Sequence, residues 1–361
     1  MKATQLLQKL GQSVWLDNIT RDLLNNGTLR QYIDELSVTG LTSNPTIYDQ
    51  AVKNSTAYDT AIRERLFLPK SVEELFFDLA IEDLLRAAEL FRPVFDRTNG
   101  VDGWVSLEVS PLLAYDAVTT LAAAKDLHAR AACPNLLIKI PGTKESLPAI
   151  EEAIFAGVPV NVTLLFSRDH YLAAAEAFLR GIERRIASGL NPRVASVASV
   201  FISRWDAAIA GHVPSELNNR LGIAMAHRTY QAYLGLLRSP RWLRAQNAGA
   251  FPQRLLWAST GSKDPKASDI LYVKALAAPF TVNTMPQATL RAFADHGEID
   301  SFISSEVEDA EQVFNQLAKA GIQVDELAAR LQSEGAAAFV KSWSDLMNVI
   351  NSKCLALKQA A

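Results

Sequence analysis

The stretch "NLLIKIPGTKESLPAIEEAIFAGVPVNVTLLF" (135–166) decides how the chain folds. It opens with an apolar, β-type run, "NLLIKIPG" (135–142). It then passes through "TKESLPAIEEAIFAG", which has apolar residues at helical spacing, and returns to a second β-type run, "VPVNVTLLF" (158–166). Strand, helix, strand is the unit that joins parallel strands, because a parallel pair needs a crossover and a helix supplies it. One residue resists this reading. Lys139 lies inside the first apolar run, and a buried ammonium is costly unless it is paired, neutral or chemically employed.

The same alternation extends in both directions. Upstream, "SVWLDNI" (13–19), "VTGLTSN" (38–44) and "GWVSLEVSP" (103–111) each precede helical patterns. Downstream, "RVASVASVFIS" (193–203), "QRLLWAST" (253–260) and "FTVNTMP" (280–286) do the same. Eight β-type segments, each followed by helix, predict a (β/α)8 TIM barrel with additional helices rather than an open doubly wound sheet. No G-x-G-x-x-G follows a strand, which also counts against a dinucleotide-binding sheet. The expected organisation is a single barrel domain over 1–361, with a helical insert at about 204–248 and C-terminal helices at about 305–357. No Pro/Gly/Ser-rich linker divides it.

Composition narrows the function. Hydrophobic residues make up 49% of the chain, charged residues 21%, and the net charge is −3. That balance is globular and offers no global basic field for nucleic acid, so an anionic ligand must be held by a local cluster of cations. No run approaches the ~18 apolar residues of a membrane span, and the N-terminus lacks a signal-peptide core, so a cytoplasmic protein is expected. Two cysteines, Cys133 and Cys354, form no disulfide framework or zinc spacing. The five histidines also lack ligand spacing, so neither metal nor cofactor is expected.

In a barrel, chemistry sits where strands end and βα loops begin. The polar residues there are Asp17, Asn44, Glu108, Lys139, Asn161 with Thr163, Ser199 with Arg204, and Ser259 with Lys263. Side chains alternate across a strand. Lys139 therefore faces away from Ile138 and Ile140, and Glu108 lines up with Ser106 and Ser110. Asn161, Thr163 and Leu165 share a face opposite Val160, Val162 and Leu164. Each residue also has a plain structural reading. Asn44 before Pro45 is a good helix N-cap, and Asp17 is another candidate cap. Glu108 and Lys139 suit an ion pair, Thr163 suits a strand, and Arg204 and Lys263 suit an exposed surface. Caps and pairs account for each one singly but not for all of them together.

A lysine desolvated in an apolar strand loses its proton more readily. As a neutral amine it attacks a carbonyl to give a Schiff base, an electron sink that permits carbon–carbon cleavage. Asp17 and Glu108 are available as proton shuttles, and Asn44 and Asn161 as amides for hydroxyl groups. The set points to a lysine-dependent aldol reaction on a polyol carbonyl compound.

At these residues the sequence resembles the transaldolases. The matching pieces are "WLDNI", "GLTSNPTIY", "VSLEVSP", "LIKIPGT", "VNVTLLFS" and "SVFISRWD", in order, with the likeness running from about residue 13 to 300. The resemblance implies transfer of a dihydroxyacetone unit between sugar phosphates, such as sedoheptulose 7-phosphate and glyceraldehyde 3-phosphate, in the non-oxidative pentose phosphate pathway. It implies Lys139 as the Schiff-base lysine and Asp17 as the acid/base at the cleaved bond. Glu108 and Thr163 would hold a proton-shuttling water, and Asn44 and Asn161 the donor hydroxyls. Ser199, Arg204 and Lys263 would be the phosphate contacts, and a homodimer is what the family suggests. The chain departs from the family pattern twice. It reads "SVFISR" where better-known members carry an "SPFVGR"-type segment, and "STGSKDP" where they carry an arginine. Two rival functions are a lysine aldolase that releases free dihydroxyacetone and a non-catalytic scaffold.

Overall fold

The computed structural model describes residues 1–299, 302–303 and 308–359. Eight strands form in the predicted places. They are β1 Ser13–Asp17, β2 Val38–Thr42, β3 Val105–Glu108, β4 Leu136–Pro141, β5 Val160–Leu165, β6 Ser196–Phe201, β7 Gln253–Ala258 and β8 Val282–Met285. All neighbours pair in parallel, and β8 pairs back onto β1, closing the barrel in sequence order. The expected (β/α)8 architecture is therefore the observed one.

Alternation sorts the strand residues into two environments. Val105, Leu107, Ile138, Ile140, Val160, Val162, Val200 and Trp257 point outward and pack with helix residues in one large apolar cluster. Trp15, Leu137, Val197, Leu256 and Val282 point inward and fill the lower barrel. Two residues further along the same strands the inward positions become polar: Trp15 gives way to Asp17, Leu137 to Lys139, Val197 to Ser199 and Val282 to Thr284. The barrel thus has an apolar floor and a polar mouth, and its polar residues gather at the carboxyl ends of the strands. Gly40 on β2 makes room for the floor, since a Cβ there would lie 2.7 Å from the Trp15 indole.

The alternation fails at one point. Leu164 has φ 58, and the β5–β6 register shifts between Val162 and Leu165. This bulge reverses the last two positions of β5. Leu165 packs outward with Val160 and Val162, whereas Leu164 joins the inner cluster with Phe166 and Phe201. The expectation that Leu165 shares a face with Asn161 and Thr163 is corrected accordingly: one extra left-handed residue shifts the period.

Helices surround the barrel. The span 204–248 holds the helices Ser203–Ile209, Leu221–Leu237 and Pro240–Asn247, and Tyr230, Tyr233 and Trp242 pack there as core residues. In the span 305–357, residues 305–307 lie outside the described residues. The remainder forms the helices Glu308–Lys319 and Val324–Gln359. The terminal helix crosses the barrel mouth. Trp343 stacks edge-on against Phe76 at 5.1 Å, and Lys353 Nζ meets Asp59 Oδ1 at 2.7 Å. Among the described residues no helix is long and apolar enough to cross a membrane.

Candidate active site

Strand register brings the charged residues together. Glu108 on β3 is the direct neighbour of Lys139 on β4, and Lys139 is the direct neighbour of Asn161 on β5. Because these three positions face inward, their side chains form a row across the mouth. Lys139 Nζ donates to Glu108 Oε2 at 3.1 Å and to the Ser43 carbonyl at 3.1 Å. Both partners of the ion pair are only 5% exposed. The apolar surroundings expected for Lys139 are thus only part of its environment, because a carboxylate and a carbonyl hold its amine in place. Glu108 Oε1 and Thr163 Oγ1, by contrast, are buried without a hydrogen-bond partner among the described residues.

The two carboxylates share one electrostatic setting. Burial raises the Glu108 carboxyl above its usual range, and Lys139 opposes that shift most strongly. Burial likewise raises Asp17. Lys139, a hydrogen bond from Thr42 and, more weakly, Lys263 pull it down. Thr42 Oγ1 lies 2.7 Å from Asp17 Oδ1 and 2.8 Å from Thr284 Oγ1, so β1, β2 and β8 are linked beneath the carboxylate. Carboxyls raised by burial beside a lysine are better proton donors and acceptors than exposed ones.

Asn161 is fully buried, with Nδ2 donating to Ser106 Oγ at 3.1 Å. Its Oδ1 accepts from Ser199 Oγ at 2.7 Å. Ser199 is itself 1% exposed, so its hydroxyl is committed to the amide. Ser199 also lines the cavity, beside Arg204, while its hydroxyl orients the Asn161 amide. Asn44 caps the helix Pro45–Lys53 through Oδ1, which accepts from Ile47 N at 3.1 Å, and it also lines the cavity. The capping and cavity-facing readings hold at once.

A cavity of about 240 Å³ opens above this row. Its lining includes Asp17, Asn44, Lys139, Thr163, Arg204 and Lys263. Arg204 is half-buried, with its guanidinium 5.4 Å from the Phe201 ring centroid. Burial lowers its pKa, and among the described residues no carboxylate or carbonyl takes its guanidinium. Lys263 reaches the same rim from an exposed position. The cluster predicted from the strand ends is therefore brought to one place, with a cationic rim over a carboxylate-flanked lysine.

Sequence reasoning missed three contributors. Thr42 and Thr284 have the same inward parity as Asp17, and applying that test to β2 and β8 would have exposed them. Phe339, from the terminal helix, lines the cavity and places its ring over Lys139 Nζ, 5.7 Å from the centroid. Nothing local in its helical surroundings marks it.

A parallel (β/α)8 barrel whose polar residues converge on a buried lysine at the strand ends defines the class: a barrel enzyme built around a lysine. The chain belongs to the transaldolase/fructose-6-phosphate aldolase family, whose profile matches residues 14–350. Its relatives include a transaldolase of Arthrobacter sp. (strain FB24), 42% identical over 99% of each chain. A transaldolase of Thermobifida fusca (strain YX) is 43% identical over 95% of this chain and 96% of the relative. One of Trichodesmium erythraeum (strain IMS101) is 37% identical over 96% of each.

Proposed function

We propose that this transaldolase works through a Schiff base on Lys139. It transfers a dihydroxyacetone unit from a ketose phosphate such as sedoheptulose 7-phosphate to an aldose phosphate such as glyceraldehyde 3-phosphate, as in the non-oxidative pentose phosphate pathway. The observation that carries this reading is the buried Lys139–Glu108 contact beside Asp17, at the base of a cavity with Arg204 on its rim. Glu108, hydrogen-bonded to Nζ and raised by burial, accepts the proton that must leave before the amine attacks the ketose carbonyl. A water between Glu108 Oε1 and Thr163 Oγ1 would satisfy both unpartnered atoms and relay protons as the carbinolamine dehydrates.

Asp17 takes the proton of the hydroxyl at the cleaved carbon–carbon bond, the electron pair moves into the imine, and the aldose leaves. The enamine then attacks the acceptor aldehyde, whose oxygen takes a proton back from Asp17. Asn44 and Asn161 hold the donor hydroxyls, with Ser199 orienting Asn161. Arg204 binds the phosphate through its cavity-lining guanidinium, with Lys263 as a second cation. The chain 1–361 acts as one barrel domain decorated by helices at about 204–248 and 305–357, in the cytoplasm and as a homodimer, without metal, cofactor or nucleic acid.

Borohydride reduction in the presence of fructose 6-phosphate tests the reading. It should fix the three-carbon unit covalently on the wild-type chain and leave Lys139→Ala untagged. Equal tagging of the variant would move the Schiff base elsewhere. The family also contains fructose-6-phosphate aldolases. Comparing transfer to erythrose 4-phosphate with release of dihydroxyacetone separates the two activities, and predominant release would overturn the transferase assignment.

A further inference from the structure

The terminal helix Val324–Gln359 is tied to the barrel mouth at the strand that carries Thr163. Gln332 Nε2 donates to the Leu164 carbonyl at 2.9 Å and to the Gly142 carbonyl at 3.1 Å, bridging the ends of β5 and β4. Leu164 is the left-handed bulge residue. One helical turn on, a Cβ at Gly335 would lie 3.1 Å from Leu164 Cδ2, so the helix sits as close to the bulge as a glycine permits. One turn further, Phe339 is 5% exposed, lines the cavity and presents its ring to Lys139 Nζ. Thr46 Oγ1, donating to Ser342 Oγ at 2.8 Å, secures the helix on the other side. These spacings of three and four residues put the bulge contacts and the ring on one face of the helix.

We infer that Phe339 sets the partition between transfer and release. The inference rests on the Schiff-base reading of Lys139. Cleavage leaves a three-carbon enamine on Nζ, which has two fates. In transfer, its nucleophilic carbon forms a bond to the acceptor aldehyde carbon, and the aldehyde oxygen takes a proton. In release, that same carbon takes a proton to give the iminium. Water then adds to the iminium carbon, the carbon–nitrogen bond breaks, and dihydroxyacetone leaves with the lysine amine regenerated. Each route ends in an iminium that one water hydrolyses to free the lysine amine, so the two differ only in whether the enamine carbon first takes a proton or the acceptor carbon. A phenyl ring beside the nitrogen acts on this competition by occupying volume from which a proton-delivering water would reach the enamine.

The test measures transfer to erythrose 4-phosphate and release of dihydroxyacetone side by side for wild type, Phe339→Ala and Phe339→Leu. Phe339→Ala should lower the transfer-to-release ratio about tenfold, a difference of about 1.4 kcal/mol between the two barriers. Phe339→Leu keeps bulk without the ring and should lower it by a smaller factor. Borohydride tagging should persist in both variants. A ratio within about twofold of wild type in Phe339→Ala, with tagging and melting temperature retained, overturns the inference alone. If Phe339→Ala does not fold, an unchanged ratio in Phe339→Leu has the same force. Failure to tag the wild-type chain overturns the Schiff-base reading and this inference with it.

Discussion

The two ends of this barrel treat buried charge in opposite ways. At the floor, Asp102 is 6% exposed and its acceptors are taken up. Oδ1 accepts from Trp15 Nε1 at 2.8 Å and from Gly103 N at 3.0 Å, and Oδ2 accepts from Ser13 Oγ. Arg254 completes the floor by donating to Ser13 Oγ, the Thr281 carbonyl and the Val101 carbonyl. At the mouth, Glu108 is buried to the same degree, but among the described residues its Oε1 has no partner and Arg204 has neither carboxylate nor carbonyl. A satisfied buried network contributes to stability, whereas unsatisfied groups at the strand ends leave capacity for a substrate. The carboxylates differ less in burial than in whether their partners belong to the fold or to the reaction.

Mutation should separate the two ends cleanly. The largest effect belongs to Asp17→Asn at the mouth. It keeps the shape of the side chain and its neighbours but removes the proton acceptor. Turnover should fall about a thousandfold, within the range for general acid–base groups, while borohydride tagging persists. Near-wild-type turnover would take Asp17 out of the cleavage step. At the floor, Asp102→Ala should leave turnover per folded molecule unchanged and cost roughly 3 kcal/mol, because it strands three buried donors. Denaturant unfolding measures that loss. A comparable loss of turnover without a loss of stability would show that the floor communicates with the chemistry.

Much of this contrast was legible in the sequence, for a definite reason. Residues such as Leu137, Lys139 and Ile140 lie in an uninterrupted β run, so strict alternation fixes which side chain faces the barrel axis. The same rule turned Glu108 and Asn161 to the inner face with Lys139 before any register was known. It failed at Leu165, because the left-handed residue at Leu164 adds a step that no local pattern announces. Ser199 was turned inward, but its bond to Asn161 was not legible, since parity says which way a hydroxyl points and not what it meets. Phe339 was illegible, because its place over Lys139 depends on where a distant helix docks.

A smaller effect is expected at the rim. Arg204→Gln should lower kcat/KM for a phosphorylated donor about thirtyfold, roughly 2 kcal/mol of a charge-assisted contact. The loss should appear mainly in KM. Unlike a floor mutation, this change strands no buried hydrogen-bonding group and removes only the contact with the Phe201 ring, so the unfolding midpoint should change little. A drop in the midpoint would mean that Arg204 is engaged structurally after all.

The smallest effect sharpens the comparison furthest, because it assigns a sign to the mouth's contribution to stability. Burial raises the folded Glu108 carboxyl above its unfolded value of about 4.3. Between those two values the folded state holds more protons than the unfolded state, so this group's contribution to stability falls as pH rises through that window. A neutral replacement does not titrate. Glu108→Gln should therefore gain on wild type, by at most about 1.4 kcal/mol per pH unit, as pH climbs from about 4 towards the raised value, and level off above it. Activity should run the other way in wild type, since proton acceptance by Asp17 and Glu108 requires both to be ionised. Unfolding free energies and rates measured on the same samples across that range decide the matter. If Glu108→Gln gains instead as pH falls, Lys139 outweighs burial, and Glu108 stabilises the mouth much as Asp102 stabilises the floor.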